Sequence, residues 1–383
     1  MGIFLLIFLI IIIPVLFAGV FFYRKKVLKY LSLDFSGIKP VDGTYQFINE
    51  FEVKELQFNT EEDDLEQLGQ KIKQNKVDSL YILHGTFVGE DPFHWIGLLE
   101  NSLPQISQEI IKKIRQHTKK GQDLFTKDLG NFIEEHEDLL KSMTLGSVPV
   151  YNFTWSSGNH HYARVIGAFK LIVDLSVKHK AGDRVLLIGH SHAGQVFALI
   201  SKLVQSTKFS NQIFSCLDKK SIPPGFLLDL KKVGKLNLDF VTLGTPVRYG
   251  WELSPKMRLL HIINHRRQDI LGGSSSGASF TRDGDYIQQW GIPGSDIKSP
   301  VKSERDINDK LDLILGAGTN YDLFKENVKK RNRMHNQGHH LFVDYGDSSK
   351  LPNFLQTIFG HGCYTKVNHL KFLMTKIVGH FYD

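Results

Sequence analysis

One stretch constrains the fold of this chain more than any other: residues 184–195, RVLLIGHSHAGQ, which run on into a helix-like segment ending near Val204. Residues 185–188 form an apolar run of strand length, and Gly189, His190, Ser191, His192 and Ala193 separate it from the helix. A strand that turns sharply into a helix lifts the residue at the apex out of the sheet. The flanking residues must then be small, so that strand and helix can approach. Gly189 and Ala193 meet that need and Ser191 stands at the apex. In an ordinary turn a serine would carry no chemistry; its place between strand and helix sets this one apart.

Similar apolar runs recur along the chain. Residues 79–83 end in His84-Gly85-Thr86, residues 148–155 end in a Ser-Gly-Asn-His turn, and residues 239–243 end in Gly244-Thr245-Pro246. Residues 258–264 and 340–345 are two further strands. Between the second and third strands, Asn159 is placed to cap a helix whose buried face is Val165, Phe169, Ile172 and Leu175. Val367, Leu370, Met374, Ile377 and Phe381 give a closing amphipathic helix. Strands alternating with helices imply right-handed crossovers, so the expected fold class is α/β, a mostly parallel sheet flanked by helices. Residues 45–58 alternate and suggest an opening strand or hairpin.

Two insertions interrupt this order. Residues 90–145 hold two segments of helical spacing, a packing layer or a lid. Residues 271–338 hold a Gly-Ser run and a basic stretch, residues 325–333, expected as a solvated helix face. The resulting division is 1–30, 31–78 for N-terminal strands and linker, and 79–383 for the main domain.

Residues 2–23 are uncharged and almost wholly apolar, long enough at ~1.5 Å per residue to cross a bilayer core of roughly 30 Å. Arg24, Lys25, Lys26 and Lys29 follow this run, where a secretory signal would carry its charge before it. A single N-terminal transmembrane helix is therefore expected, with the basic flank and the rest of the chain on the cytoplasmic side. Over 383 residues the net charge is +7, spread without dense blocks, which fits an anionic membrane surface and gives no nucleic-acid footprint. Cys216 and Cys363 are the only cysteines, read as reduced thiols. No metal-type spacing of Cys or His is present, and no cofactor is implied.

A serine hydroxyl becomes a nucleophile when a histidine takes its proton, and that histidine needs a carboxylate to fix its tautomer. In an open parallel sheet such groups come from loops after the strands. Downstream of Ser191, Asp269 follows the strand 258–264, with Asp239 and Asp285 as rivals; Asp269 could equally cap a helix or pair with Arg266 or Arg267. Among the histidines, His339 and His340 begin the last strand, at the wrong end of the sheet, and His369 lies inside the closing helix. His361, between them, is left as the base. The expected triad is Ser191, Asp269 and His361.

The His84-Gly85-Thr86 strand end, the Gly189-His190-Ser191-His192-Ala193-Gly194 elbow and the segment Val241-Thr242-Leu243-Gly244-Thr245-Pro246 resemble those of the α/β-hydrolase superfamily, within it the lipase- and esterase-like serine hydrolases. The resemblance covers residues 79–383 apart from the insertions. It departs at Ala193, where the common elbow has glycine, so that Gly194 falls one place late. It implies that Ser191 attacks a carbonyl, that His361 acts as base and then acid, and that the backbone N–H groups of Thr86 and His192 meet the oxyanion. The expected activity is cleavage of a carboxylic ester by a membrane-anchored enzyme, with lipid esters as one substrate class. The alternatives are the same triad acting on a thioester or amide, and an inactive hydrolase fold that serves as a binding module at the membrane.

Overall fold

The structure is a computed structural model that describes residues 45–47, 53–58, 64–86, 109, 126, 130–265, 284–329, 333–345 and 360–383. The expected transmembrane segment, the Gly-Ser run at 272–277 and most of the 90–145 insertion lie outside these residues. Among the described residues no helix is long and apolar enough to cross a membrane.

In chain order the elements are β1 (Tyr45–Phe47), β2 (Glu55–Gln57), α1 (Leu65–Gln74), β3 (Val77–Leu83), α2 (Glu134–Met143), β4 (Val150–Phe153), α3 (His161–Lys178), β5 (Arg184–His190), α4 (Ala193–Gln205) and α5 (Thr207–Cys216). There follow α6 (Phe226–Val233), β6 (Asn237–Leu243), β7 (Met257–Asn264), α7 (Tyr286–Trp290), α8 (Lys302–Leu315), α9 (Tyr321–Lys329), β8 (Arg333–His335), β9 (His339–Asp344) and α10 (Val367–Phe381). Seven strands form one sheet in the order β2-β9-β7-β6-β5-β3-β4, and every neighbouring pair is parallel. The expected α/β class therefore holds.

Side chains alternate across this sheet, as a strand's period of two requires. Leu187, Leu238, Phe240 and Leu259 pack under α3, α4, α5, α6 and α8. Leu186, Ile188, Val241, Leu260 and Ile262 pack under α1, α2 and α10. Both faces are thus covered, which explains why β5 to β7 are near-continuous apolar runs. The expected face of α3 (Val165, Phe169, Ile172, Leu175) is buried, and on α10 Leu370, Met374, Ile377 and Phe381 are buried while Val367, at the first turn, is half-buried.

Three local expectations are corrected. β1 and β2 do not form a hairpin, because β1 pairs antiparallel with β8 and β2 runs parallel to β9. Asn159 does not cap α3: its Oδ1 accepts from Arg164 Nη2 at 2.5 Å, and His160 takes the cap, its Nδ1 accepting from the Ala163 N–H at 3.3 Å. The basic stretch 325–333 is not wholly a solvated face, since Arg333 is buried in β8 and donates to Asn327 O at 2.6 Å.

The chain adds β4 outside β3, then returns past β3 to lay down β5, β6 and β7 in the opposite direction. The reversal falls between β3 and β5. Such a switch point opens a crevice at the carboxyl ends of the strands, and here the two loops beside it are those of Thr86 and Ser191.

Candidate active site

Ser191 leaves β5 with φ of +56°, in the left-handed region that costs a non-glycine residue on the order of 1–3 kcal/mol. The surrounding backbone holds it there. Its N–H donates to Leu243 O at 2.8 Å, and its own carbonyl accepts from Thr245 Oγ1 at 2.7 Å and from Gly194 N at 3.1 Å. The departure at Ala193 now has a physical reason. Ala193 is accommodated fully buried, whereas a Cβ at Gly194 would lie 2.1 Å from Thr245 Oγ1. The close approach that demands glycine has moved one position along, onto the side chain that clamps Ser191 O.

His361 follows the last strand and lies just before the turn Cys363–Thr365 that leads into α10. Its Nε2 is 2.7 Å from Ser191 Oγ. Its Nδ1 is 2.9 and 2.8 Å from the two carboxylate oxygens of Asp285. With the proton on Nδ1 shared with the carboxylate, Nε2 is free to accept the serine proton. Ser191 is 3%, His361 8% and Asp285 0% exposed, so the chain of three groups is shielded from bulk water except at its serine and histidine end.

Asp285, and not Asp269, occupies the position at Nδ1; Asp269 lies outside the described residues. Asp285 lies at the end of β7, where its N–H donates to Asn264 O at 3.0 Å. Distance along the sequence from the strand end was therefore the wrong guide. A usable signal was present: Asp285 immediately precedes α7 and caps it, its Oδ1 accepting from the Gln288 N–H at 2.9 Å. Tyr364 Oη donates to the other oxygen at 2.8 Å. Gly244, at φ +59°, makes room for both groups, since a Cβ there would lie 2.3 Å from Asp285 Oδ2 and 2.8 Å from Tyr364 Oη.

The two histidines of the elbow have separate surroundings. His190 Nε2 donates to His361 O at 2.8 Å, tying the elbow to the loop that carries His361. Burial, with His361 beside it, holds the His190 ring well below the usual imidazole range, so it is neutral. His192 Nδ1 is 2.5 Å from Thr86 Oγ1 and 3.4 Å from Ser191 Oγ. Burial and then Arg164 push His192 down as well. The hydrogen bond joins the two loops on either side of the crevice, the ones expected to donate to an oxyanion.

Beyond His192 lies a second polar cluster. Asp296 is fully enclosed between Arg164 of α3 and Arg248 of the loop after β6, with contacts of 2.8 Å to each guanidinium. Burial works against the Asp296 charge, but the two guanidiniums outweigh it and hold the carboxyl below its usual range. Tyr249 Oη lies 3.1 Å from Arg164 Nη1 and 2.5 Å from His161 Nδ1. Burial pushes His161 down to about 3, with Arg248 adding to the effect. His160 and His161 are both buried, His161 within this cluster. Cys216 and Cys363 are buried and unbonded to each other.

Comparison with protein-family models, with curated proteins and with solved structures finds no match to this chain.

Proposed function

We propose that the chain is a serine hydrolase of the α/β-hydrolase superfamily, cleaving a carboxylic ester through Ser191, His361 and Asp285. The observation that carries this reading is the continuous hydrogen-bonded line from Ser191 Oγ to His361 to Asp285, with the serine on a left-handed turn between β5 and α4. Ser191 Oγ attacks the ester carbonyl while His361 Nε2 takes its proton, and Asp285 stabilises the imidazolium that results. The backbone N–H groups of His192 and Thr86 meet the oxyanion. Collapse expels the alcohol, which receives the proton from His361; water then attacks the acyl-serine with His361 again as base, releasing the carboxylic acid and restoring Ser191. A lipid ester is the substrate class supported by the apolar segment 2–23 and by the lipase-like segments at Gly189 and Gly244. In this reading segment 2–23 anchors the enzyme in a membrane with the catalytic domain on the cytoplasmic side.

The test is hydrolysis of a short-chain p-nitrophenyl ester by the full chain. Ser191→Ala is expected to lower kcat by roughly 10³-fold or more. Hydrolysis by Ser191→Ala at the wild-type rate would remove the mechanism.

A further inference from the structure

Asp285 accepts hydrogen bonds from three sides, and one of them comes from a residue with no part in the proton path. The Gln288 N–H donates to Oδ1, His361 Nδ1–H faces both oxygens, and Tyr364 Oη lies 2.8 Å from Oδ2. The direction of the tyrosine bond is fixed by its second partner. Tyr364 Oη already accepts from the Asn264 N–H at 2.7 Å, so its own proton goes to the carboxylate. The ring is fully enclosed, with Tyr345 edge-on at 5.6 Å and His190 at 5.7 Å. Tyr364 sits three residues after His361, so one turn delivers both the base and the donor to its acid.

We propose that Tyr364 is a positioning residue that acts on His361 through Asp285: it fixes the carboxylate against the imidazole and draws off part of the negative charge that would otherwise hold an imidazolium. A carboxylate that loses a donor concentrates its charge on the remaining partners. Without the hydroxyl, Asp285 binds the protonated His361 more tightly, and His361 becomes a competent base only at higher pH. Burial, reinforced by Asp285, pushes the Tyr364 hydroxyl well above its usual range, so it remains a donor throughout the working pH range. Among the described residues, the other titratable groups near His361 include His190, His192, Cys363 and Tyr345. Burial lowers the two imidazoles and raises the thiol and the phenol, so these four keep their neutral forms across the pH range of the measurement below.

The inference rests on the serine-hydrolase reading, and the experiment separates the two. The rate of inactivation of the full chain by a fluorophosphonate is measured from pH 5 to pH 9; in this reaction an Oγ–P bond forms at Ser191, fluoride leaves and His361 takes the hydroxyl proton. For Tyr364→Phe the midpoint of the rise with pH is expected to move upward by about half a unit or more. Tyr345→Phe serves as the control. Its hydroxyl is also buried but has no hydrogen-bond partner among the described residues, and so gives no hydrogen bond to Asp285; its removal is expected to leave the midpoint unchanged. If Tyr364→Phe does not fold, 3-fluorotyrosine at position 364 keeps the shape and strengthens the donor, and the midpoint is expected to move downward. A wild-type midpoint in Tyr364→Phe, or in the fluorotyrosine protein, overturns the role of Tyr364 alone. A wild type that does not react at any pH overturns the hydrolase reading and this inference with it.

Discussion

Two buried ionic clusters flank the elbow, and they are built on opposite plans. In one, a single carboxylate, Asp285, has no permanent cation among its hydrogen-bond partners: they are a backbone N–H, a phenol and an imidazole that itself faces Ser191. In the other, the carboxylate of Asp296 is saturated by two permanent cations, Arg164 and Arg248. The first plan leaves a proton that can move, because the carboxylate's charge is directed at an imidazole placed to take the proton of Ser191. The second leaves none. Its value is mechanical, since it ties α3, the loop after β6 and the segment after α7 together beneath His192. The two carboxylates lie on one stretch of chain, on either side of α7.

Removing each carboxylate's charge tests this difference. Asp285→Asn is expected to lower kcat by about 10⁴-fold in a protein that remains folded, because the base loses the partner that fixes its tautomer. Asp296→Asn is expected to do the reverse. It leaves two guanidiniums in the interior without compensation and costs about 3–5 kcal/mol of stability, read from urea unfolding midpoints. If Asp296→Asn unfolds at the wild-type midpoint, or Asp285→Asn unfolds far earlier than it, the division between the clusters is wrong.

A third buried group separates the pH response of folding from that of activity. His261, His335 and His340 stack at ring-centroid distances of 4.3 and 5.1 Å. Burial, with His340 adjacent, lowers His335 to about 3. In the unfolded chain the same ring takes up a proton near pH 6.5. Its contribution to stability is therefore complete above about pH 6.5 and is lost as pH falls toward 3, at about 1.4 kcal/mol per pH unit. His335→Phe is expected to flatten the fall in unfolding free energy from urea titrations between pH 6.5 and 5 by about 1.4 kcal/mol per unit. An unchanged slope would contradict the neutral burial of this ring. The pH midpoint for reaction at Ser191 is expected to stay where it is in this variant.

Much of this arrangement was legible in the residues themselves. Apolar runs gave β3, β5, β6, β7 and β9, the helical spacing gave α3 and α10, and the turn chemistry around Ser191 gave the elbow. His361 could be reached because it is the histidine placed between the last strand and the closing helix. The acid could not be reached in the same way, because its position depends on a backbone bond from Asp285 to Asn264 that closes an excursion the sequence does not measure. Proximity along the chain favoured Asp269; proximity in space selects the helix cap. The arginine cluster was hidden for a related reason. Arg164 lies 132 positions from Asp296, and an arginine near the start of an apolar helix carries no sign that its partner comes from so far away.

Covalent capture tests most directly whether Ser191 is the nucleophile. The folded full chain is treated with a fluorophosphonate at pH 8 and the adduct is located by peptide mass spectrometry. A single phosphonyl group on Ser191, absent from Ser191→Ala, is the result expected. No adduct on the folded wild type, or an adduct that persists in Ser191→Ala, would contradict the account.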